Sequence, residues 1–420
     1  MSAAQLAVQE RFGQLFDAEL VPSIRRMGEQ PRAGDPAEVQ ALRQMLWSAL
    51  TDLGATRLLL PEAHGGEAAG QQGAVVLAEL LGGALYQGPL LDTMTAAEAL
   101  AAGEALAGSE ALAGSEALAG SEALAAGEAL AGSEALAGSE ALAGSEANGK
   151  LLERIAEGAP VVLAFREHGA DAAALPSAMT LSGDRVSARR RFVSYAQDAE
   201  CLCVIGTQNG RPVCALSSAD HPTVSMRRQH DTGRGELYDV SLERTPVLAT
   251  LAGFADAWPR LLATARLRHA GYLVGMCQAA LELAVDRAGS RRQFGQSIGR
   301  FQAPAFALAA AATRVEAARW LIRATAWEAD QGADVRLGSA QALAMAADLS
   351  RTVVSTAMQV HGAYGTTERA DIQLYFRRAA IERAWWGSPR ALRAEVLPLL
   401  LADRRAARPQ RPGWDRRNMR

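Results

Sequence analysis

The periodicity of the apolar residues changes twice along this 420-residue chain, and the order of those changes constrains the fold more than any other feature. Apolar residues recur at helical spacing before about residue 158 and again after about residue 249. Between these limits, short apolar runs such as 161–164 and 201–205 are separated by Gly, Asp and Asn, which is typical of antiparallel strands. We therefore predict an α+β fold with an N-terminal all-α domain (1–158), a middle antiparallel β domain (159–248), a C-terminal all-α domain (249–403) and a tail (404–420).

The N-terminal domain contains three predicted helices, at 3–30, 36–53 and 70–86, with breaks at Pro22, Pro31 and the Gly65-Gly66 pair.

A repeat of the hexapeptide EALAGS, with a glutamate every six residues from Glu98 to Glu146, is inserted in this domain. Six residues advance a helix by about 600°, so the leucines do not form one stripe and no coiled-coil seam is predicted. Ala, Leu and Glu favour a helix while each Gly opposes it, so we expect a fraying helix or a disordered loop over about 98–146. The repeat is either a tolerated surface expansion or an acidic docking arm. Its nine glutamates supply the acidity of the chain, because the net charge of −3 would become +6 without them.

Composition excludes several classes of protein. The net charge of −3, without a basic and aromatic cluster, gives no reason to expect nucleic acid as a partner. The basic segment 404–420 is interpreted as a frayed tail or, alternatively, as a contact for an anionic surface. Four cysteines without CxxC spacing predict reduced, buried thiols in a cytoplasmic protein and no metal site. No apolar run reaches the roughly 20 residues that span a bilayer.

Segment 291–302, RRQFGQSIGRFQ, lies between two long helical stretches and carries arginines, a phenylalanine and glycines. The planar guanidinium of arginine donates two parallel hydrogen bonds, which suits a pyrophosphate. Taken alone, such a turn is more often simply solvated.

A second segment, 359–368, has Gly362 and Gly365 at a helix end, where backbone N–H groups could approach a phosphate. A third segment, 375–388, follows the second one at a fixed interval along the chain.

These three segments together resemble the C-terminal domain of the acyl-CoA dehydrogenases. The resemblance covers most of the chain outside the repeat, since 58–66 is similar to the family's VPEE-GG segment and Glu79 falls where the next helix usually carries an acid. Residues 165–170 stand where the family has its TEPGAG loop, and 191–195 resemble the strand that meets the flavin.

The resemblance implies FAD as cofactor. Arg291 and Phe294 would contact its pyrophosphate and adenine side from the neighbouring subunit, and Gln302, Gln359, Gly362 and Gly365 would complete that wall. Phe192 and Ser194 would pack on and hydrogen-bond the isoalloxazine. Ser388, which replaces a threonine of the family, would touch the same nucleotide.

The chain departs from the family at the catalytic base. The position of the usual glutamate, which abstracts the α-proton of the thioester, is occupied by Trp386. A second family solution places an acid before an arginine early in the helix after the β domain, and the matching pair here is Ala265-Arg266. Arg166 also replaces a flavin-contacting threonine. The remaining candidates for a base are Glu382, one helical turn before Trp386, and Asp256.

Three functions are compatible with these residues. The chain is an FAD-dependent dehydrogenase of acyl thioesters with a displaced base, a base-less subunit of a heteromeric dehydrogenase, or an inactive scaffold of the same fold. The implied partners are an acyl thioester on CoA or an acyl carrier protein, an electron-transfer flavoprotein or similar acceptor, and further chains in a homo- or hetero-oligomer, a tetramer in such proteins. A role in lipid or sterol catabolism would follow.

Overall fold

The computed structural model describes residues 3–16, 36–121, 146–167, 179–230, 232–233 and 235–406; side chains are not described at 4, 36–39, 107–121 and 402–406. Among the described residues, five helices precede the strands: α1 (Ala3–Leu15), α2 (Pro36–Asp52), α3 (Gly70–Gly83), α4 (Leu90–Ser121) and α5 (146–156). The predicted helices at 36–53 and 70–86 are therefore present. Of the predicted helix 3–30, Ala3–Leu15 is helical, and the part from residue 17 lies outside the described residues.

Two four-stranded sheets form the middle of the chain. One has the order β1-β4-β5-β8, from strands Val161–Ala164, Cys201–Gln208, Arg211–Ser218 and Ala249–Thr250. The other has the order β2-β3-β7-β6, from strands Thr180–Ser182, Arg185–Ser194, Leu237–Pro246 and Val224–Gln229. The second sheet is antiparallel, as predicted, but β1 pairs with β4 in parallel, which corrects the expectation of antiparallel strands only.

Strand β4 lies between two hydrophobic cores. Its side chains alternate across the sheet, so that Cys201, Cys203 and Ile205 join the core shared with the helices. Leu202 and Val204 join a smaller core between the two sheets. All six residues from Cys201 to Gly206 are buried, which explains why this run is continuously apolar rather than alternating.

The C-terminal part contains the long helix α6 (Phe254–Ser290), a short hairpin of β9 (Arg292–Gln293) and β10 (Gln296–Ser297), then α7 (Gln302–Asp330), α8 (Arg336–His361), α9 (Ile372–Glu382) and α10 (Pro389–Ala406). Helix α6 is the centre of the molecule and contacts α3, α4, α7 and α8. It crosses α3 at very short range, because a Cβ added at Gly82 would overlap the Tyr272 carbonyl and one at Gly275 would overlap the Glu79 carbonyl.

The first copy of the hexapeptide packs into the core and the second makes a polar contact next to it, which corrects the view that the whole repeat is an insertion without a face to bury. Leu100 is fully buried in α4. The carboxylate of Glu98 lies 2.6 Å from Nη1 of the buried Arg268 on α6, and that of Glu104 lies 2.7 Å from Nε2 of His64. The repeat from 122 to 145 lies outside the described residues, as does the tail from 407.

Candidate functional site

A narrow cavity of about 50 Å³ lies where α3, the first turn of α4, the end of β3, α6 and the turn after α9 meet. Ser194, Glu382 and Trp386, three of the residues that the sequence singled out, line this cavity. The other polar or aromatic residues of its wall are Tyr86, Asp92, Tyr195, His269, Tyr272, Arg378 and Trp385. The cavity is therefore the place where one candidate flavin-ring residue, Ser194, and the position of the usual base come together, whereas Phe192 does not line it.

Trp386 is buried, and its ring stacks on that of Phe165 with centroids 4.8 Å apart and planes at 11°. Its backbone is held from α6, since Nε of Arg266 donates to the Trp386 carbonyl at 3.1 Å. The buried Arg266 guanidinium also donates to both carboxylate oxygens of Glu395 on α10, at 2.8 and 2.9 Å. The Ala265-Arg266 pair thus provides no acid, and its arginine fixes the turn that carries Trp386.

Glu382 is buried and already paired. Its Oε1 lies 2.7 Å from Nη2 of Arg378, and its Oε2 lies 3.6 Å from Nε2 of His269. The Nε2–H of His269 donates to the backbone carbonyl of Glu382 at 2.8 Å. Burial lowers the pKa of His269, so the ring is neutral at pH 7.

Asp92 is the carboxyl group of the cavity that the sequence did not reveal. It lies in the first turn of α4 and accepts a hydrogen bond of 3.4 Å from the backbone N–H of Leu163. Burial raises its pKa from 3.8 to about 7. The only sequence signal for it is an acid that precedes an apolar helix, and that pattern is more typical of an ordinary helix N-terminus.

Arg166 is the second residue after β1 and packs against the aromatic residues beside the cavity. Its guanidinium carbon lies 3.6 Å from the centre of the Trp385 ring and 5.2 Å from that of Phe165. Burial lowers the pKa of Arg166 to about 9, while the charges of Asp92 and Glu382 act in the opposite direction. Among the described residues, its Nε and Nη2 have no hydrogen-bond acceptor, so ring contact and charge hold the side chain in place.

The structure does not bring Asp256, the other candidate base, to this cavity. Asp256 lies in the first turn of α6, where its side chain is 82% exposed and its carboxylate is 3.7 Å from Nη2 of Arg211. Arg266 is ten residues further along the same helix, which corresponds to roughly 15 Å.

Phe192, predicted to pack on a flavin, has a left-handed backbone with φ 55° and is 36% exposed beside Arg191. Ser388 has a local role, because its Oγ accepts from the Ala391 N–H at 3.2 Å at the start of α10, directly before Pro389. This is the usual arrangement of a serine N-cap followed by proline.

The residues predicted to meet the nucleotide lie at another surface, around the β9–β10 hairpin and the end of α8. Phe294 is 92% exposed at the hairpin tip, and Arg291, Gln302, Gln359 and Gly362 are exposed as well. The two segments are adjacent, since the guanidinium of Arg287 lies 4.9 Å from the centre of the Tyr364 ring. Gly365 differs, because it is buried and a Cβ there would lie 2.8 Å from that of His361. Its glycine is explained by packing within the turn.

A larger open groove of about 710 Å³ lies between α1, α3, α6 and α7. Glu79, the acid that the resemblance pointed to, lines it and accepts from Nε of Arg319 at 2.5 Å and from Nη2 of Arg323 at 3.4 Å. Glu79 therefore joins α3 to α7.

The two halves of the predicted FAD site fit the cofactor differently. The exposed guanidinium of Arg291, with the amides of Gln302 and Gln359, is a suitable donor set for phosphate oxygens. The central cavity of about 50 Å³ is far below the roughly 300 to 1,000 Å³ of typical ligand sites. A flavin ring and a thioester therefore do not fit beside Trp386 in this chain.

Other kinds of site have no support in the described part of the chain. The described residues contain no group of three or more His, Cys, Asp or Glu placed to hold a metal ion. All four cysteines are buried and free, with Sγ of Cys203 and Cys214 3.2 Å apart. None of the described helices combines the length and the apolar character that crossing a membrane requires.

Comparison with known proteins identifies the class. Residues 252–397 match the family model described as acyl-CoA dehydrogenase, C-terminal domain. A 3-(aryl)acrylate reductase of Clostridium sporogenes is 30% identical over 40% of this chain and 43% of its own length, so that alignment spans less than half of the relative. Acyl-CoA dehydrogenase IpdE2 of Mycolicibacterium smegmatis is 27% identical over 94% of this chain and 100% of that protein.

Solved structures give the same fold over nearly the whole chain. A variant of the Tcur3481-Tcur3483 steroid ACAD superimposes with a TM-score of 0.76 at 24% identity, covering 96% of this chain and 99% of that one. A chain of the ChsE4-ChsE5 complex from Mycobacterium tuberculosis gives 0.72 at 21% identity, covering 97% and 99%. The helix–sheet–helix architecture is that of these dehydrogenases, as the sequence predicted. Residues 252–397 thus match the acyl-CoA dehydrogenase C-terminal domain, and the chain is similar to acyl-CoA dehydrogenases in sequence and fold over nearly its whole length.

Proposed function

We propose that this chain is a base-less subunit of a heteromeric, FAD-dependent dehydrogenase of acyl thioesters. In this assembly a second, different chain of the same fold supplies the catalytic base. The observation that carries the proposal is Trp386, whose buried ring stacks on Phe165 at the position of the usual base and leaves a cavity of about 50 Å³.

The reaction requires an acceptor for the α-proton within hydrogen-bond reach, about 3 Å. When bound, FAD supplies the acceptor for the β-hydride. The indole of Trp386 can only donate a hydrogen bond, and Ala265 has no polar group. Glu382 is bound to Arg378 at 2.7 Å. Asp92 is a carboxyl with a suitable pKa of about 7, but it faces a cavity without room for a thioester.

The exposed nucleotide surface supports a shared site. Arg291 and Phe294 project from the hairpin into solvent, away from the central cavity of their own chain. Such a surface contributes to a flavin site only when a second chain supplies the other residues of that site. Among the similar structures, the ChsE4-ChsE5 structure is by name a complex of two proteins. We extend that arrangement to a mixed tetramer whose electrons leave through an electron-transfer flavoprotein or a similar acceptor.

The test compares the chain alone with the chain co-expressed with the partner that co-purifies from the native host. Both preparations are loaded with FAD and assayed with short, branched and sterol-like CoA thioesters and an artificial electron acceptor. We expect turnover only in the two-chain preparation, and loss of that turnover when the partner's glutamate at the family position is changed to Gln. Robust turnover by the lone wild-type chain would contradict the proposal and make Asp92 and Glu382 the first residues to replace.

A further inference from the structure

A cleft of about 500 Å³ lies between helix α2 and the strand-rich part of the chain, and we call it the α2 cleft. Its volume falls within the roughly 300 to 1,000 Å³ of typical small-ligand sites, which are frequent where two domains meet. Its walls are one face of α2 (Gln40, Arg43, Gln44, Trp47 and Ser48), the α3–α4 loop (86–89), Pro160 before β1 and the turn after β3 (Gln197 and Asp198).

The face that α2 turns toward this cleft is polar. Its five lining residues follow the helical spacing i, i+3, i+4, i+7 and i+8, at which a helix packed on a second layer usually carries apolar side chains. Another face of α2 does carry them, since Leu46 and Leu50 are buried in the core. The polar face is therefore suited to a bound polar molecule rather than to closure of the two layers against each other.

The charges at the α2 cleft compensate one another. Nη1 of Arg43 lies 3.2 Å from a carboxylate oxygen of Glu236 and 3.7 Å from one of Asp198. Glu236 also pairs with Arg228 at 2.6 Å, so two guanidinium groups face two carboxylates. Gln40 donates to Asp198 at 2.9 Å and completes the contact between α2 and the turn after β3. Because no net charge is left to attract an ion, the cleft fits an uncharged ligand.

The other polar groups of the cleft are amides that stand beside aromatic rings. The side-chain amides of Gln44 and Gln87 make no hydrogen bond to another described residue. The indole of Trp47 is fixed, because its Nε1–H donates to the Gly158 carbonyl at 2.9 Å, and the buried Tyr86 lines the cleft as well. A glutamine amide offers a donor and an acceptor side by side, which matches a flat group with an N–H next to a C=O. Aromatic walls favour a flat ring at the same place.

We infer that the α2 cleft binds a planar, uncharged ring whose edge carries an N–H beside a C=O, as in a hypoxanthine or uracil base. Gln44 and Gln87 bind the edge of the ring, and Trp47 borders its face. The inference does not depend on the proposed function, since the α2 cleft shares only Tyr86 and Gly88 with the central cavity.

The first test compares two nucleosides that differ at this edge. Inosine carries N1–H beside its C6 carbonyl, and in 1-methylinosine a methyl group replaces that hydrogen. Ligand-observed NMR with the full-length chain should show saturable binding of inosine with a dissociation constant of about 0.1–1 mM, as expected for a ligand of this size. Binding of 1-methylinosine should be about 10-fold weaker, because the methyl group removes a donor and leaves a glutamine oxygen unpaired. No saturable binding of inosine up to about 10 mM, or equal binding of the two nucleosides, would overturn the inference.

The second test locates the site with three glutamine variants. Gln44→Leu and Gln87→Leu each remove one amide at similar volume and should weaken inosine binding by about 2- to 10-fold, the effect of one hydrogen bond. Gln331→Leu removes an exposed amide at the end of α7 and should bind inosine like the wild type. Because Gln44 is exposed and Gln87 is half-buried, equal thermal midpoints of the three variants are expected and checked first. Wild-type affinity in both cleft variants, or the same loss in all three, would overturn the assignment to this cleft.

Discussion

Two glutamates of the hexapeptide repeat, Glu98 and Glu104, allow a matched test of how this fold is stabilised, because both stand in the same local sequence, EALA. Glu98 lies 2.6 Å from Nη1 of Arg268, whose side chain is 1% exposed, and accepts from Nε2 of Gln71 at 2.6 Å and from the Thr264 hydroxyl at 3.0 Å. Glu104 pairs with His64 at 2.7 Å, but its side chain is 29% exposed.

Glu98→Ala should lower the free energy of unfolding by about 3–5 kcal/mol, because it leaves the Arg268 charge buried without its carboxylate. Arg268 would keep hydrogen bonds to Gln71 at 2.9 Å and to Thr95 at 2.8 Å, which compensate only part of the charge. Glu104→Ala should cost about 1 kcal/mol or less, as expected for a pair that water reaches. At about 2–4 °C per kcal/mol, the thermal midpoint should fall by roughly 6–20 °C for Glu98→Ala and by no more than about 4 °C for Glu104→Ala.

Differential scanning calorimetry of both variants at the same pH and salt concentration measures these shifts. Adding Arg268→Met to Glu98→Ala should recover part of the loss, because the unpaired charge is then removed together with its partner. Equal midpoints for the two alanine variants, or a further loss in the double variant, would refute the role assigned to the Glu98–Arg268 pair.

Three other predictions follow from the same contacts. Arg291→Ala should reduce the FAD affinity of the assembled enzyme by about 10- to 150-fold, corresponding to 1.5–3 kcal/mol for a charge-assisted hydrogen bond, and equal retention on gel filtration would contradict this. The raised pKa of Asp92 means that its contribution to stability is present below pH 3.8 and is lost as pH rises to about 7. The stability of wild type relative to Asp92→Asn should therefore fall across that window, by at most about 1.4 kcal/mol per pH unit, and a flat difference in urea unfolding would exclude this burial effect. Deleting 107–145 leaves every described contact of Glu98 and Glu104 in place, so the midpoint should move by only a few degrees, while loss of the oligomer would favour the docking-arm interpretation.

The order of helices, strands and helices could be predicted because each segment has its own periodicity of apolar residues, which depends only on the local sequence. The parallel pairing of β1 with β4 could not, since Val161 and Cys201 meet only through the tertiary fold. The prediction that the repeat has no face to bury was wrong for its first copy, because the contacts of each copy also depend on the tertiary fold. Its copies have the same sequence, yet Glu98 faces Arg268 and Leu100 faces the core, because helix α4 begins at Leu90 and brings its first turns against α6.

In the candidate site, too, contacts between distant segments could not be predicted from the local sequence. The sequence predicts a missing base at Trp386, because a single motif fixes that position, and this stays a prediction. Asp92, His269 and Arg378 were not recognised as a group, since they come from three separate segments and each resembles an ordinary surface or helix-end charge. Their grouping depends on the tertiary fold, which buries all three around one cavity.

Under the proposed function, the missing base involves more than the residue at position 386. The Trp386 backbone is held by Arg266, which is itself fixed by Glu395, so the turn keeps a defined geometry whatever side chain stands at this position. A carboxylate restored there would face the carboxyl groups of Asp92 and Glu382, and mutual repulsion would favour its protonated form. A protonated acid cannot accept the α-proton, and a cavity of about 50 Å³ is still far smaller than a thioester site. Under the proposed function, activity of this chain alone thus requires the charged groups around this cavity, Asp92, Arg378 and Glu382, to be rebuilt, whereas a base on a second chain requires no change in them.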